Sequence, residues 1–336
     1  VVTKWICSDT IPVTVMEPAT VAAGPDTAVC AGITFQLSGA SIGGTASSST
    51  WTTSGDGTFS DVTEAAGLVI LGSCMGIDAG DYDRDGDLDV YWTNYHENFL
   101  WRNNGDGTFV NRSIDSAIAL SLVEDDTDWS FTPNFSDIDG DGDLDIIRAS
   151  LYDNTVAWYE NTGTGYTGHV ITTAANGAIE VYAADIDSDG DMDVLSANYY
   201  EAKIAWYENN GSQSFTAHTI STSMPGAFDV YAADVDSDGD IDVLGAAYDS
   251  DQIAWFENDG NQSFTSHTVT TVADGAASVY AEDVDNDGDL DILSASINDD
   301  EIAWYENNGS QSFTAHTIST AANGANTVYA IDIDND

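Results

Sequence analysis

Apolar and polar residues alternate in short runs along most of this chain, and the runs recur. In the stretch that is easiest to read, Ala277–Val284 (ASVYAEDV) alternates and leads into an acidic loop. Leu290–Ile297 (LDILSASI) leaves that loop, followed by Glu301–Asn307 (EIAWYEN) and Ser312–Ser319 (SFTAHTIS). Each run is rich in β-branched and aromatic residues, and the connections (Asn-Asp-Asp, Asn-Gly-Ser) are turn chemistry. No such unit holds an apolar stripe at helical spacing over ten residues. The pattern predicts four short antiparallel strands per unit. Ile302, Trp304 and Tyr305 sit close together, as expected of strands that bury both faces against neighbouring sheets.

The unit repeats. An acidic string begins at Asp81, Asp137, Asp185, Asp234 and Asp283, and a sixth begins at Asp332, with spacings of 56, 48, 49, 49 and 49 residues. Trp158, Trp206, Trp255 and Trp304 keep the same beat, as do His169, His218, His267 and His316. Four strands in roughly 45 residues, repeated, predict an all-β propeller of four-stranded blades. A parallel β-roll would require a nonapeptide repeat, which is missing. The propeller is placed over residues 62–336, with five full repeats and a truncated sixth. Val1 reads as mid-domain and Asp336 falls inside a motif, so the sequence reads as a fragment at both ends.

The loops carry the candidate chemistry. Their carboxylates are Asp81, Asp83, Asp85, Asp87 and Asp89; Asp137, Asp139, Asp141, Asp143 and Asp145; Asp185, Asp187, Asp189, Asp191 and Asp193; Asp234, Asp236, Asp238, Asp240 and Asp242; Asp283, Asp285, Asp287, Asp289 and Asp291; and Asp332, Asp334 and Asp336. Two like charges ~4 Å apart at an effective dielectric of ~20 repel by about 4 kcal/mol before screening. A hard divalent cation with oxygen ligands offsets that repulsion, and Ca²⁺ accepts six to eight oxygens in flexible geometry. Positions 1, 3 and 5 supply carboxylates, the glycine at position 6 allows a sharp turn, position 7 offers its carbonyl and position 9 closes the site. A solvated acidic face would not explain the recurrence of Gly86, Gly142, Gly190, Gly239 and Gly288. About five structural calcium ions are expected, one per complete loop. Position 12 is Trp92, Arg148, Ser196, Gly245 or Ser294 and never Glu, and the flanks are strands, so an EF-hand is disfavoured.

With 58 acidic and 6 basic residues the formal charge is −52, and five divalent ions would bring it only to −42. Such a chain repels nucleic-acid phosphates and anionic membrane surfaces. The 42% hydrophobic content, with nine Trp and fifteen Tyr, argues against a disordered acidic tail. No apolar run approaches the ~20 residues of a membrane helix. Cys7, Cys30 and Cys74 allow a Cys30–Cys74 or a Cys7–Cys30 bridge, or three free thiols, and do not decide the compartment.

The acidic loops together with IAWYENNGSQSF (Ile204–Phe215) resemble FG-GAP/VCBS repeats, the integrin-α-type propeller blades. The first unit, DYDRDGDLDVYWTNYHENFLWRNNGDGTF, is more similar to the variant found in bacterial secreted proteins and their cartilage-acidic-protein relatives. The resemblance implies a calcium-stabilised propeller, usually seven-bladed, in secreted or cell-surface proteins that bind protein or glycan ligands. Residues 1–50, rich in Thr, Ser, Ala and Gly, resemble a polycystic-kidney-disease-type, immunoglobulin-like bacterial surface repeat, a β-sandwich-like fragment. Its boundary lies between residues 50 and 62, because WTTSGDGTF (Trp51–Phe59) also matches WRNNGDGTF (Trp101–Phe109) and reads equally as the end of a preceding blade.

No catalytic site is visible. No nucleophile elbow, HExxH, phosphate loop or dinucleotide fingerprint occurs. The four periodic histidines and Glu160, Glu208, Glu257 and Glu306 read as blade structure, since a catalytic group is needed once; His96 is not periodic but lies in a turn with no visible partner. The third-strand Trp and Tyr residues are expected in the core between blades. Tyr199, Tyr200 and Tyr248 follow second strands, where loops can reach a ligand. The expected function is a secreted or cell-surface, calcium-binding module for adhesion or ligand binding, not an enzyme. Its rivals are an accessory or catalytic propeller of a secreted carbohydrate-active enzyme, and a passive spacer.

Overall fold

A computed structural model describes residues 34–35, 51–53, 59–61, 65–68, 74–94, 98–113 and 130–330. Most of the 1–50 fragment lies outside the described residues, with Cys7, Cys30, His96, Asp332, Asp334 and Asp336. Five four-stranded antiparallel sheets follow one another along the chain, each a meander of consecutive strands, and together they form the blades of a propeller. Blade 1 contains Cys74–Gly80, Asp89–Asn94, Phe99–Asn103 and Phe109–Asn111. Blade 2 contains Ser130–Ser136, Asp145–Ser150, Thr155–Asn161 and Tyr166–Thr172. Blade 3 contains Ala178–Ala184, Asp193–Asn198, Lys203–Asn209 and Phe215–Ser221. Blade 4 contains Ala227–Ala233, Asp242–Ala247, Gln252–Asn258 and Phe264–Thr270. Blade 5 contains Ala276–Glu282, Asp291–Ser296, Glu301–Asn307 and Phe313–Ser319. The strands expected in the fifth unit are all present. The one helical element among the described residues is a short 3₁₀ turn, Tyr199–Glu201.

Burial follows strand position. Every residue of the second strands of blades 2 to 5 is buried, whereas the outermost strands are half exposed. Position 12 of each acidic loop falls in a second strand, so it is unavailable as a closing ligand. First strands of successive blades lie side by side. Three of their tyrosines and Tyr329, which follows blade 5, form a ladder, Tyr182 on Tyr231 on Tyr280 on Tyr329, with ring centroids 4.8, 4.8 and 4.7 Å apart. Two half-buried carboxylates knit these strands across the seams. Asp78 accepts the Phe135 N–H at 2.6 Å, and Asp229 accepts the Val279 N–H at 2.8 Å. Pro133 is tolerated because it stands in an edge strand at a register shift, where no ladder bond is required.

The Trp-Tyr/Phe pair of each third strand explains how one sheet grips two neighbours. Successive side chains point to opposite faces. Trp206 joins a cluster with Met224 of the following link and Val243 and Phe256 of blade 4, while Tyr207 joins one with Ile147, Val156 and Trp158 of blade 2. The next seam repeats the arrangement with Trp255 and Tyr305. These aromatics are therefore core and not sugar platforms. Before the first blade, Trp51–Thr53 pairs with Phe59–Asp61 through Trp51↔Asp61, the register seen fifty residues later in Trp101↔Asn111.

Trp206→Ala should empty the seam between blades 3 and 4 and cost about 3–5 kcal/mol in denaturant unfolding. His218→Ala, which removes a half-exposed ring stacked on the same indole, should cost only about 1 kcal/mol. Equal losses would refute this account of the seam.

Candidate metal sites

Each acidic loop joins the first and second strands of its blade, and its backbone is folded by its own carboxylates. In blade 3, the Asp189 and Gly190 N–H groups donate to the two oxygens of Asp185, and the Asp191 N–H donates to Asp189. Gly190 at position 6 has φ +95°, a conformation closed to most side chains. Position 4 is left-handed as well (Arg84 φ 59°, Ser188 φ 61°, Ser237 φ 61°, Asn286 φ 59°), and only blade 2 places glycine there, Gly140. Sequence inspection gave no sign of this second left-handed residue.

The loop gathers oxygens. In blades 2 to 5 the carboxylates of positions 1, 3 and 9 each offer an oxygen within 4.8 Å of the others: Asp137, Asp139 and Asp145; Asp185, Asp187 and Asp193; Asp234, Asp236 and Asp242; Asp283, Asp285 and Asp291. In blade 1 the group is Asp81, Asp83 and Asp85. Position 5 lies outside the cluster in the other four blades, where its carboxylate accepts the N–H of position 7. The position-7 carboxylates of Asp87, Asp191, Asp240 and Asp289 lie against the turns at Gly105, Gly211, Gly260 and Gly309, leaving their carbonyls as the remaining donors there.

Position 9 is the buried member. Asp193 is 0% exposed and accepts the Ile186 N–H at 3.0 Å and the Asn209 N–H at 2.7 Å. Desolvation, only partly opposed by these bonds, lifts Asp89, Asp145 and Asp193 to about 7 and Asp242 to about 6. Asp139, Asp187, Asp236 and Asp285 are also raised, desolvation first and neighbouring carboxylates adding to it. A buried carboxylate beside two others lacks a counter-charge, and an all-oxygen donor set of this kind suits a hard cation such as Ca²⁺.

The asparagine that ends each third strand holds the loops to one another. Asn209 donates its backbone N–H to Asp193, and its side-chain amide donates to the Met192 carbonyl at 3.2 Å and to the Ile138 carbonyl of the preceding blade's loop at 3.0 Å. Asn258 does the same with Ile241 and Ile186, Asn307 with Leu290 and Val235, and Asn161 with Leu144 and Tyr82. These clasps escaped the sequence reading, since Asn-Asn-Gly reads only as a turn.

Blade 1 departs from the pattern. Arg102 stands where the other blades carry Glu160, Glu208, Glu257 or Glu306, and its guanidinium bonds Asp83 and Asp85, the latter at 2.9 Å. That contact holds Asp85 below the usual carboxylate range. Arg84 reaches the second loop at Asp143, 2.8 Å away. In blades 2 to 5 the glutamate instead meets the periodic histidine, 2.7–2.9 Å from oxygen to Nε2, and that imidazole stacks on the third-strand Trp at 4.4–4.6 Å. Histidine and glutamate, read separately in the sequence, are one repeated structural pair.

The FG-GAP-like repeat family matches the chain six times, over residues 40–92, 81–148, 137–196, 185–245, 234–294 and 283–336. No curated protein matches the chain in sequence. Among solved structures, the chain is similar to an Agrocybe aegerita lectin described as recognising non-reducing terminal N-acetylglucosamine (TM-score 0.56, 19% identity, covering 83% of this chain and 76% of that one). It is also similar to a Lactobacillus plantarum protein (0.57, 14%, 82% and 80%) and to the Pseudomonas aeruginosa periplasmic gluconolactonase PpgL (0.55, 12%, 83% and 78%). At these identities the likeness concerns the fold.

Asn258→Ala should leave the Ile186 and Ile241 carbonyls unpaired, cost about 1–3 kcal/mol, and shift the calcium dependence of thermal unfolding to higher concentration. An unchanged Tm and titration midpoint would remove the clasp from the account. The metal-free chain should also respond to pH. A folded pKa of about 6 to 7 lies above the ~3.9 of an unfolded aspartate, so the folded state binds more protons between those values. In chelator, stability should therefore rise as pH falls from 8 to 5, while the gain from calcium shrinks as protons compete. The reverse order of Tm values in chelator would contradict the buried-carboxylate argument.

Proposed function

The chain belongs to the FG-GAP-like repeat family, and from that premise we propose that it is a calcium-stabilised propeller working outside the cell as an adhesion or ligand-binding module for a protein or glycan. The observation that carries this reading is the three-carboxylate cluster recurring once per blade, with one member buried in four of the five. Calcium, when bound, supplies the charge that each buried position-9 carboxylate lacks. The loops then join first strand, second strand and neighbouring blade, so binding free energy becomes folding free energy. Sites of this acidity without a rigid cage bind at ~10⁻⁴ to 10⁻³ M, a level met by extracellular calcium and not by cytosol.

The formal charge of −52 disfavours nucleic acid and anionic membranes as partners. No helix among the described residues is long and apolar enough to cross a membrane. The rival reading, a propeller of a carbohydrate-active enzyme, draws on the gluconolactonase likeness. Against it, the acid–base candidates are fourfold repeated, and each histidine is engaged by a glutamate and a tryptophan. The hairpin at Trp51–Asp61 and the repeat match from residue 40 support starting the propeller before residue 62 and shortening the sandwich-like fragment.

Blades 2 to 5 offer equivalent sites, whereas Arg102 already supplies positive charge to the first. Thermal unfolding in calcium and in chelator, paired with ion counting, should give four tighter ions and a weaker fifth. At tenfold excess over Kd each site should add about 1.4 kcal/mol. Arg102→Gln should strengthen the fifth. A chain that binds no ion and melts identically in chelator would defeat the proposal.

A further inference from the structure

The acidic loops and the turns between third and fourth strands occupy one end of every blade. The opposite end carries the turns between second and third strands and the links between blades. There the repeat stops copying itself: the corresponding dipeptides are Leu151-Tyr152, Tyr199-Tyr200, Tyr248-Asp249 and Ile297-Asn298.

In blades 3 to 5 these residues form a connected surface. The Tyr199 hydroxyl donates to Asp249 Oδ1 at 3.0 Å, and the Tyr248 hydroxyl donates to Asn298 Oδ1 at 3.0 Å, each bond crossing a seam. Tyr200 stands perpendicular to Tyr199, with centroids 5.5 Å apart and planes at 88°. Phe228 packs against both Tyr199 and Tyr248, at 6.4 and 5.9 Å. The backbone beneath is fixed. The Tyr199 N–H donates to Gly177 O at 2.8 Å, and the Asp249 N–H to Pro225 O at 3.2 Å. A Cβ on Gly177 would lie 2.6 Å from Tyr200 Cδ2, so the link is shaped to admit that ring. Yet Tyr200 remains 53% exposed, and the second oxygen of the exposed Asp249 has no hydrogen bond among the described residues.

We infer that this corner is a binding site for a neutral saccharide, with one pyranose lying on the Tyr200 ring and its hydroxyls donating to Asp249. The inference rests on the reading of the chain as an extracellular binding module. A pyranose offers an apolar C–H face and a rim of hydroxyls, which matches an aromatic plane joined through Tyr199 to a carboxylate with one oxygen unengaged. Anionic sugars are disfavoured by the −52 charge. A quaternary ammonium ion requires several ring faces around it. Here Tyr199, Phe228 and Tyr248 pack against one another, which leaves Tyr200 as the open platform.

The test is calorimetric titration of the full chain in calcium with cellotetraose, chitotetraose, xylotetraose and tetramethylammonium, with the Tm recorded for every sample. At least one oligosaccharide should bind, and Tyr200→Ala and Asp249→Asn should each weaken it about tenfold or more at unchanged Tm. Tyr200→Phe should retain binding, because the stacking plane survives. Three outcomes would overturn the site: saccharide binding that ignores both substitutions, no saccharide binding by a chain that calcium does stabilise, or a Tyr200-dependent response to tetramethylammonium alone. A chain that gains no stability from calcium would instead bring down the underlying module reading, and this site with it.

Discussion

Everything in this propeller turns on one buried carboxylate per blade. Asp145, Asp193, Asp242 and Asp291 each bridge the loop between the first and second strands and the third strand that carries the blade's large aromatic side chains, by accepting one N–H from each. That placement makes the group both a structural bracket and an electrostatic problem. Two backbone donors do not balance an anion withdrawn from water with two further carboxylates beside it. The blade is thus geometrically complete while its carboxylates remain unbalanced by any counter-charge of the same loop in blades 2 to 5, a cluster that could hold a metal ion.

Much of this could be read from residue order. The period, the strands and the propeller follow from alternation and from the beat of Trp158, Trp206, Trp255 and Trp304, because local sequence dictates which faces must be covered. The acidic loops were equally plain, since five aspartates in nine residues have few other physical uses. What stayed hidden depends on contacts with no side-chain signature. The Asn209 amide meets the carbonyl of Ile138, a partner 71 residues away that any residue could supply. The His218–Glu208 pair requires the cross-strand register, and the left-handed turn at Ser188 carries no glycine to announce it.

The irregularities are as informative as the repeat. Blade 1 exchanges a glutamate for Arg102 and so carries its own counter-ion, with Arg84 extending positive charge to the second loop. Blade 2 buries Arg148 over the Tyr159 ring, where its neighbours have Ser196, Gly245 and Ser294. Four of the chain's six basic residues are arginines, and all four fall between residues 84 and 148, within the first two blades. The first two blades thereby carry positive charge that the later blades lack at the same places.

The asparagine clasp has a direction. Each blade reaches back to a carbonyl in the loop before it, at Tyr82, Ile138, Ile186 and Val235. A chain emerging from its N-terminus therefore meets every latch point before the latch that needs it. Assembly can proceed as a ratchet, with each newly delivered sheet docking on a finished template and offering the next one in turn. The order in which the chain is made and the order in which its sheets can latch are therefore the same.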